Sequence, residues 1–216
     1  MTDYALARAN MVESQLRPNR VSDAAVLDAF RTVPREAFLP QAARAGAYLD
    51  EDVPVGGGRY LIEPVVLARL VQAAAIGPDE SVLVVGCPGG YAAAILVHLA
   101  GRVVALEADA AVAARLRDAL AGEAKATVVE GGLESGAAPG PFDVVLIAGA
   151  VPHVPPALFD LLRDGGRLLG VVGPARGGFG EAVIVERIGR AQSRRALFDA
   201  ATPALPGFEP APAFAF

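Results

Sequence analysis

The sequence predicts an α/β protein with a mostly parallel sheet and helices on both of its faces. The first observation is a set of short, continuous apolar runs, such as 81–86 and 142–148, which are typical of parallel strands covered on both sides. The second is that helical segments rich in alanine, such as 90–100, separate these runs. Strands that alternate with helices favour parallel pairing through right-handed crossovers.

The N-terminal part of the chain is predicted to consist of helices and connections. Ser22 suits the N-cap of a helix that ends at Val33, and Pro64 suits the first position of another. The acidic and glycine-rich stretch 48–60 has no periodicity and is predicted to be a loop. The predicted helices of this part are 3–16, 22–33 and 64–75.

The remainder of the chain is predicted to form the sheet and its helices, followed by an extended tail. The predicted strands are 81–86, 102–107, 126–130, 142–148 and 166–172, with a closing hairpin from 181–188 and 192–200. The predicted helices are 90–100, 109–120 and 155–163. We interpret residues 1–216 as one domain, divided into a helical region (1–78), an α/β core (79–200) and a tail (201–216).

Composition excludes several classes of function. The 216 residues have a formal net charge of −5 and one lysine, Lys125, so nucleic acid is not an expected partner. Cys87 is the only cysteine, which excludes an intrachain disulfide and favours a reducing compartment. The N-terminus does not resemble a signal peptide, and no apolar run reaches the roughly 20 residues that span a bilayer. A cytoplasmic protein without membrane contact is expected.

A glycine-rich turn follows the first strand of the predicted core. It consists of Gly86, Cys87, Pro88, Gly89, Gly90 and Tyr91. A ligand can approach such a backbone closely, and the helix N-terminus behind it offers free N–H groups. Glu107 ends the next strand, where an acid can accept hydrogen bonds from ribose hydroxyls. This combination favours a nucleoside site over an ordinary turn beside a solvated acid.

Further short motifs occur along the chain in a fixed order. They are Met11-Val12 with Gln15-Leu16, Val33-Pro34-Arg35-Glu36-x-Phe38, Ala47-Tyr48-x-Asp50, the glycine-rich run before Pro64, and Gly165-Gly166-Arg167-Leu168. The turn, with Gly90 and Tyr91 as its last residues, is similar to the G-x-G-x-G-Y loop of class I S-adenosylmethionine-dependent methyltransferases. Together, the motifs from about residue 10 to 175 resemble those of protein-L-isoaspartate O-methyltransferases.

This resemblance implies a fold and an activity. The fold is the Rossmann-like class I methyltransferase fold, in which a seven-stranded sheet has one reversed strand and carries an N-terminal helical addition. The activity is repair of damaged proteins by methyl transfer from S-adenosylmethionine to an isoaspartyl carboxylate. Such a nucleophile is already ionised at neutral pH, so alignment of the two reactants is expected to matter more than a general base.

The resemblance also implies two groups of site residues. Those expected to hold the cofactor are Gly86, Cys87, Gly89, Gly90, Tyr91, Glu107, Gly131, Gly132 and Leu133. Those expected at the methyl acceptor are Arg59, Tyr60, Ile62 and Glu63, with 148–153. Arg59 and Tyr60 are the polar candidates to bind a carboxylate there, although each also suits an ordinary loop role.

Several positions depart from the pattern of the family. Ile62 stands at the family's active-site serine or threonine and has no hydroxyl, and Glu63 stands where a neutral glutamine is usual. Pro88 replaces a glycine and removes an N–H group. Val84 and Gly132 replace acidic residues near the expected cofactor. These changes leave open a methyltransferase for another acceptor, or a non-catalytic descendant that binds the cofactor weakly or not at all.

The two histidines and possible metal ligands give weaker signals. His153 follows the fourth predicted strand of the core, near the edge where ligands bind, whereas His98 is expected to be an ordinary helix residue. No H-E-x-x-H motif or cysteine cluster occurs, so no metal site is predicted. The sequence does not predict an oligomeric state.

Overall fold

The computed structural model describes residues 3–173 and 178–208. Its N-terminal part is mainly helical, as predicted, with a π-helical turn that continues the first helix and two 3-10 turns. Its elements are α1 (Tyr4–Met11), the π turn (Val12–Leu16), α2 (Ala24–Thr32), the 3-10 turns (Arg35–Phe38 and Gln41–Gly46), β1 (Val53–Gly56), β2 (Arg59–Leu61) and α3 (Pro64–Ala74).

Two predictions for this part are wrong. The stretch 48–60 is not a loop throughout, because β1 and β2 pair as an antiparallel hairpin whose turn, 56–58, consists of glycines at positive φ. The N-cap of α2 is Asp23 rather than Ser22. The Asp23 carboxylate accepts a hydrogen bond from the amide of Val26 at 3.0 Å, whereas the Ser22 amide donates to Gln72.

A seven-stranded sheet lies at the centre of the protein and confirms the predicted fold class. The strands are β3 (Ser81–Val85), β4 (Arg102–Glu107), β5 (Ala126–Glu130), β6 (Phe142–Val151), β7 (Leu162–Val172), β8 (Gly180–Ile188) and β9 (Ala191–Ala200). Their order is β5-β4-β3-β6-β7-β8-β9. Pairing is parallel from β5 to β7, and β8 is antiparallel to both of its neighbours. The hairpin predicted around Gly189 is therefore confirmed.

The three predicted helices of the core are present, but each is shorter than its predicted range. They are α4 (Tyr91–Val97), α5 (Ala110–Ala119) and α6 (Pro156–Asp160). Asp109 caps α5 as predicted, through a hydrogen bond from the amide of Val112 to its carboxylate. The helix predicted over 155–163 is only the short α6, because Leu162 already pairs with Phe142 as the first residue of β7.

The two faces of the sheet are covered differently. One apolar cluster joins alternate residues of the sheet, such as Val84, to α2, α3 and α4. The other joins the remaining sheet residues to α6, Leu133 and two residues of the tail, Leu205 and Phe208. Leu205 and Phe208 of the predicted tail therefore belong to the core of the second face, while 209–216 lie outside the described residues.

No helix within residues 3–173 and 178–208 has both the length and the apolar character needed to cross a membrane.

Candidate functional site: the crevice at the carboxyl edge of the sheet

The predicted site residues meet at the carboxyl edge of the central strands. Gly86 directly follows β3, Glu107 ends β4, Gly131 follows β5 and Gly149 lies near the end of β6. In the sheet, β4 lies on one side of β3 and β6 lies on the other. The strand order therefore reverses at β3, which makes this point the topological switch of the sheet. Ligands of open α/β sheets bind at such a point. We call the space between these four residues the crevice.

The turn after β3 has the backbone conformation that its glycines predict. Gly86, Gly89 and Gly90 all have positive φ, at 68°, 74° and 92°. A Cβ at Gly89 would lie 2.5 Å from the backbone oxygen of Phe38, so the turn also packs closely against the N-terminal part. Pro88 begins a short 3-10 turn and is compatible with this path.

Two side chains of the turn lie in the core rather than in the crevice. Tyr91 is buried, and its ring packs edge-on against Phe30 and beneath the guanidinium of Arg35. Burial raises the pKa of Tyr91 above its ordinary value. Cys87 is buried as well, and its burial raises the pKa of the thiol to about 11. Neither side chain is therefore placed to contact a ligand in the crevice.

Glu107 is fully buried and is bound by groups of this chain. Its Oε1 accepts hydrogen bonds from the amides of Ala108 at 2.8 Å and Asp109 at 3.2 Å. The same oxygen forms an ion pair at 2.5 Å with Nη2 of Arg59, which is 6% exposed. Arg59, predicted to bind the carboxylate of a substrate, thus binds a carboxylate of its own chain.

The pair of Glu107 and Arg59 is incompletely bonded. Oε2 of Glu107 and Nη1 of Arg59 are buried and have no hydrogen-bond partner among the described residues. A buried polar group without a partner costs about 1–3 kcal/mol. Each residue of the pair therefore has one polar atom that is bonded by no described group of the protein.

The tail enters the crevice through Leu205. The amide of Ala150 donates to the carbonyl of Pro203 at 2.9 Å, and the amide of Leu205 donates to the carbonyl of Ala150 at 2.8 Å. A Cβ on Gly86 would lie 2.5 Å from Cδ2 of Leu205, and one on Gly149 would lie 2.9 Å from Cβ of Leu205. The Leu205 side chain thus occupies the space that these two glycines leave free. We call residues 203–208 the tail segment.

The tail segment also covers the loop that follows β5. Leu133 is buried in the same apolar cluster as Leu205 and Phe208, which is 3% exposed. Gly131 and Gly132 lie in tight turns, since a Cβ would meet Ala137 at 2.7 Å and the Ser135 hydroxyl at 2.7 Å, respectively. The residues 131–133, which are expected to hold the cofactor, are therefore covered by the chain itself.

The cavity that remains beneath the tail segment is too small for S-adenosylmethionine. The cavity left between Arg59, Ile62, Gly149 and Leu205 has a volume of about 10 Å³. Such a volume holds about one water molecule, whereas ligand sites usually measure about 300–1,000 Å³. The proline ring at position 88 is not among the residues that line this cavity. The cofactor implied by the resemblance therefore does not fit in this cavity while the tail segment is in place.

A larger hollow lies beside the crevice. Its volume is about 370 Å³, and its walls include Phe38, Arg59, Gly89 and Arg115. Arg59 lines both this hollow, which we call the outer cleft, and the crevice. The Arg59 side chain is therefore a wall between the two spaces.

The remaining residues predicted at the acceptor differ in their surroundings. Tyr60 is 36% exposed, whereas Ile62 is buried. Both line the small cavity beneath the tail segment. Glu63 precedes α3, and its amide donates to the carboxylate of Asp52 at 2.9 Å. Tyr60 and, in part, Glu63 are consequently the polar side chains of this group that are accessible from outside.

Glu63 has an altered acidity. Burial, together with the nearby carboxylates of Asp50 and Asp52, raises the pKa of Glu63 to about 7. A large fraction of this group is therefore protonated and neutral at neutral pH, as the glutamine usual in the family would be. An ionised Glu63 would repel a carboxylate substrate, and the raised pKa reduces this repulsion at neutral pH.

The other residues considered from the sequence lie apart from the crevice. Val84 is buried within β3, and His98 is exposed at the end of α4. His153 is also exposed, with its Nε2 3.9 Å from a carboxylate oxygen of Glu134. The structure does not bring either histidine to Glu107.

Arg35 is a structural residue whose role sequence reasoning missed. It is fully buried, and its guanidinium donates to the carbonyls of Ala47 at 2.8 Å and Ile62 at 2.9 Å. Arg35 therefore fixes the end of the β1–β2 hairpin beside Tyr91. The signal was present in the motif Val33-Pro34-Arg35-Glu36, but its spacing alone does not reveal burial.

Comparison with known proteins identifies the family. The profile of a family described as Protein-L-isoaspartate(D-aspartate) O-methyltransferase (PCMT) matches residues 7–194. The chain belongs to the protein-L-isoaspartate O-methyltransferase family. A family member from Koribacter versatilis is 42% identical over 176 residues, which are 80% of this chain and 79% of that protein. One from Methylorubrum extorquens is 42% identical over 177 residues, or 81% and 78% of the two chains.

Solved structures of the same family share the fold. A protein-L-isoaspartate O-methyltransferase aligns with a TM-score of 0.78 at 21% identity over 91% of this chain and 65% of its own, slightly less than two thirds. A second structure, from Plasmodium falciparum and in complex with S-adenosyl-L-homocysteine, aligns with a TM-score of 0.76 at 15% identity over 96% and 100% of the two chains. At these identities the likeness supports the architecture alone.

The bonding of the buried pair predicts the effect of removing one partner. Glu107→Gln leaves the Arg59 guanidinium buried without a counter-charge, so we expect a loss of about 3–5 kcal/mol in the free energy of unfolding. The double variant, Glu107→Gln with Arg59→Leu, removes both charges and should recover most of the lost free energy of unfolding. Urea denaturation of the three chains tests this. Equal destabilisation by the single and double variants would contradict it.

The raised pKa of Glu63 predicts a pH-dependent stability. Because the pKa of about 7 in the folded chain lies above the ordinary value of 4.5, folding favours the protonated form, and the stability it contributes is lost as pH rises through 7. The neutral variant Glu63→Gln avoids this loss. Relative to the wild type, we expect the free energy of unfolding of the variant to rise by about 1 kcal/mol as the pH is raised from 4 to 8, after allowance for solvent screening.

Urea denaturation of the Glu63→Gln chain across this pH range measures the gain. Glu51→Gln, at an exposed position in the same segment, is the matched control. A difference between Glu63→Gln and the wild type that does not change with pH would contradict the assignment.

Proposed function

We propose that this protein is a protein-L-isoaspartate O-methyltransferase that acts when the tail segment has left the crevice. In this function, a methyl group passes from S-adenosylmethionine to the carboxylate of an isoaspartyl residue in a protein or peptide. The observation that supports it most strongly is the 42% identity to relatives of that name over about four fifths of both chains. The matched region includes the β1–β2 hairpin and the sheet strands from β3 to β8.

The positions of two acidic residues support the same proposal. Glu107 is retained at the end of β4, and one of its oxygens has no protein partner. The pKa of Glu63, raised to about 7, lowers the negative charge near the hairpin at neutral pH. Both features suit a chain that binds a nucleoside at one end of its site and a carboxylate at the other.

The binding groups of the proposed site can be assigned to its residues. We assign the nucleoside to Glu107 and to the backbone of Gly86, Gly89 and Gly90, with the loop 131–133 beside it. We assign the acceptor to Tyr60 and Glu63 around Ile62, which supplies shape but no hydrogen bond. Arg59 would have to leave Glu107, and it then becomes available to bind a carboxylate.

The setting of the activity follows from the composition. We infer a cytoplasmic protein with one buried cysteine, and protein or peptide partners rather than nucleic acid, given the net charge of −5. We propose one domain over residues 1–216.

The filled crevice favours a second candidate function. A descendant of the family that no longer transfers methyl groups would retain the fold while Leu205 and Arg59 occupy the former cofactor space. Ile62 in place of a hydroxyl residue is consistent with this candidate. The two functions differ in whether the chain modifies an isoaspartyl peptide at all.

A methyl-transfer assay distinguishes these candidates. The whole chain and its Leu205→Glu variant are incubated with S-adenosylmethionine labelled in the methyl group, and with an isoaspartyl peptide or the matching aspartyl peptide. We expect a base-labile label on the isoaspartyl peptide, at least tenfold above that on the aspartyl control. Label equal to the reaction without protein, for both chains and both peptides, would contradict the proposed function and favour the second candidate.

A further inference from the structure

We propose that the tail segment is a displaceable occupant of the cofactor crevice, so that binding of S-adenosylmethionine requires residues 203–208 to leave. The inference rests on the proposed function for the identity of the excluded ligand. It adds a regulatory element within the same chain, because the position of the tail determines whether the site exists.

The contact of Leu205 with the crevice is the first argument. The glycines at 86 and 149 provide open backbone at the ends of β3 and β6, where a small-molecule ligand is expected in this fold. The Leu205 side chain takes up that space and is 4% exposed. The tail segment thus occupies the switch point itself, rather than an unrelated groove of the surface.

The chemical mismatch between the tail segment and the crevice is the second argument. The segment contributes the buried apolar side chains of Leu205 and Phe208, and Leu205 lines a small cavity together with Arg59, the ion-pair partner of Glu107. Oε2 of Glu107 and Nη1 of Arg59 have no partner among the described residues while the segment is present. A permanent core contact would be expected to satisfy or remove such groups. The mismatch indicates a space that suits a more polar occupant.

Arg59 is the second part of the closed state. Its guanidinium lies on Glu107 and separates the crevice from the outer cleft of about 370 Å³. Movement of both Arg59 and Leu205 would join the two spaces and free the Glu107 carboxylate. The outer cleft alone already falls in the range of ordinary ligand sites, and the movement would add the Glu107 carboxylate to its walls.

The attachment of the tail segment is limited. Its described backbone bonds to the sheet are the two at Ala150, and they form an isolated bridge rather than a strand. Pro203 and Pro206 have no N–H group to donate. The segment can therefore detach without breaking any of the strand pairings within the seven-stranded sheet.

A binding experiment on the full chain tests the proposal. Leu205→Glu places a charge in the close contact that Leu205 makes with Gly86 and Gly149, so the segment should be expelled. Ala201→Glu adds the same charge at an exposed residue just before the segment and is the matched control. Calorimetric titration with S-adenosylhomocysteine should give a dissociation constant at least tenfold lower for Leu205→Glu than for the wild type and for Ala201→Glu.

The outcomes separate this proposal from the proposed function. Equal affinity in all three chains would overturn the role of the tail segment and leave the methyltransferase proposal intact. Tighter binding by Leu205→Glu without methyl transfer to the isoaspartyl peptide would support the tail proposal and remove the proposed function. No binding by any of the chains would overturn both.

Hydrogen exchange of the wild-type chain provides a test that does not depend on the variant folding. The amide of Leu205 donates to the carbonyl of Ala150, whereas the amide of Val145 lies within the paired centre of β6. A displaceable segment predicts exchange at Leu205 at least tenfold faster than at Val145, through local opening. Equal protection of the two amides would mean that the segment opens only when the protein unfolds, and would overturn the proposal.

Discussion

The arrangement of the site depends on one constraint, which is that the carboxylate of Glu107 is fully buried. A buried charge requires a counter-charge or several hydrogen-bond donors. In this chain, Oε1 has three donors, and Arg59 is the only charged one. That requirement draws the β1–β2 hairpin over the crevice and places its arginine between the crevice and the outer cleft. Arg35 fixes the far end of the same hairpin through the Ile62 carbonyl.

Two opposing free-energy contributions of similar size act on the closed crevice. Burial of Leu205 and Phe208 contributes about 1.5–3 kcal/mol for each side chain. The unpartnered atoms on Glu107 and Arg59 oppose this by about 1–3 kcal/mol each. Their difference is small compared with the stability of a domain of this size, so the state of the crevice is open to influence by a ligand. A ligand shifts such an equilibrium only through its preference for the open form.

The fold was largely accessible from the sequence because its signals are local. The apolar runs of β3, β4 and β6 identify buried parallel strands, and Asp109 and Pro64 mark helix starts by their own chemistry. The hairpin at 53–61 was missed because its strands are short and the sequence shows no clear alternation of apolar and polar residues there. Its formation depends on burial of Val53 and Leu61 against the rest of the protein.

The candidate site was only partly accessible from the sequence. The turn after β3 and Glu107 could be placed at one edge, because parallel strands align their carboxyl ends. The pairing of Arg59 with Glu107 joins residues 48 positions apart, and no local pattern reports it. The role of Leu205 was hidden for the same reason, since a proline-flanked leucine gives no indication of which surface it covers. The inward orientation of Tyr91 likewise depends on Phe30, from a distant helix.

A crystal structure of the chain grown with S-adenosylhomocysteine would decide whether Glu107 lies in a nucleoside site that is closed by this chain. We expect ligand density across the crevice, a ribose hydroxyl on the Glu107 carboxylate, and both Arg59 and Leu205 displaced from their present positions. Density that leaves Leu205 against Gly86 and Arg59 on Glu107, with the ligand absent or bound elsewhere, would contradict it.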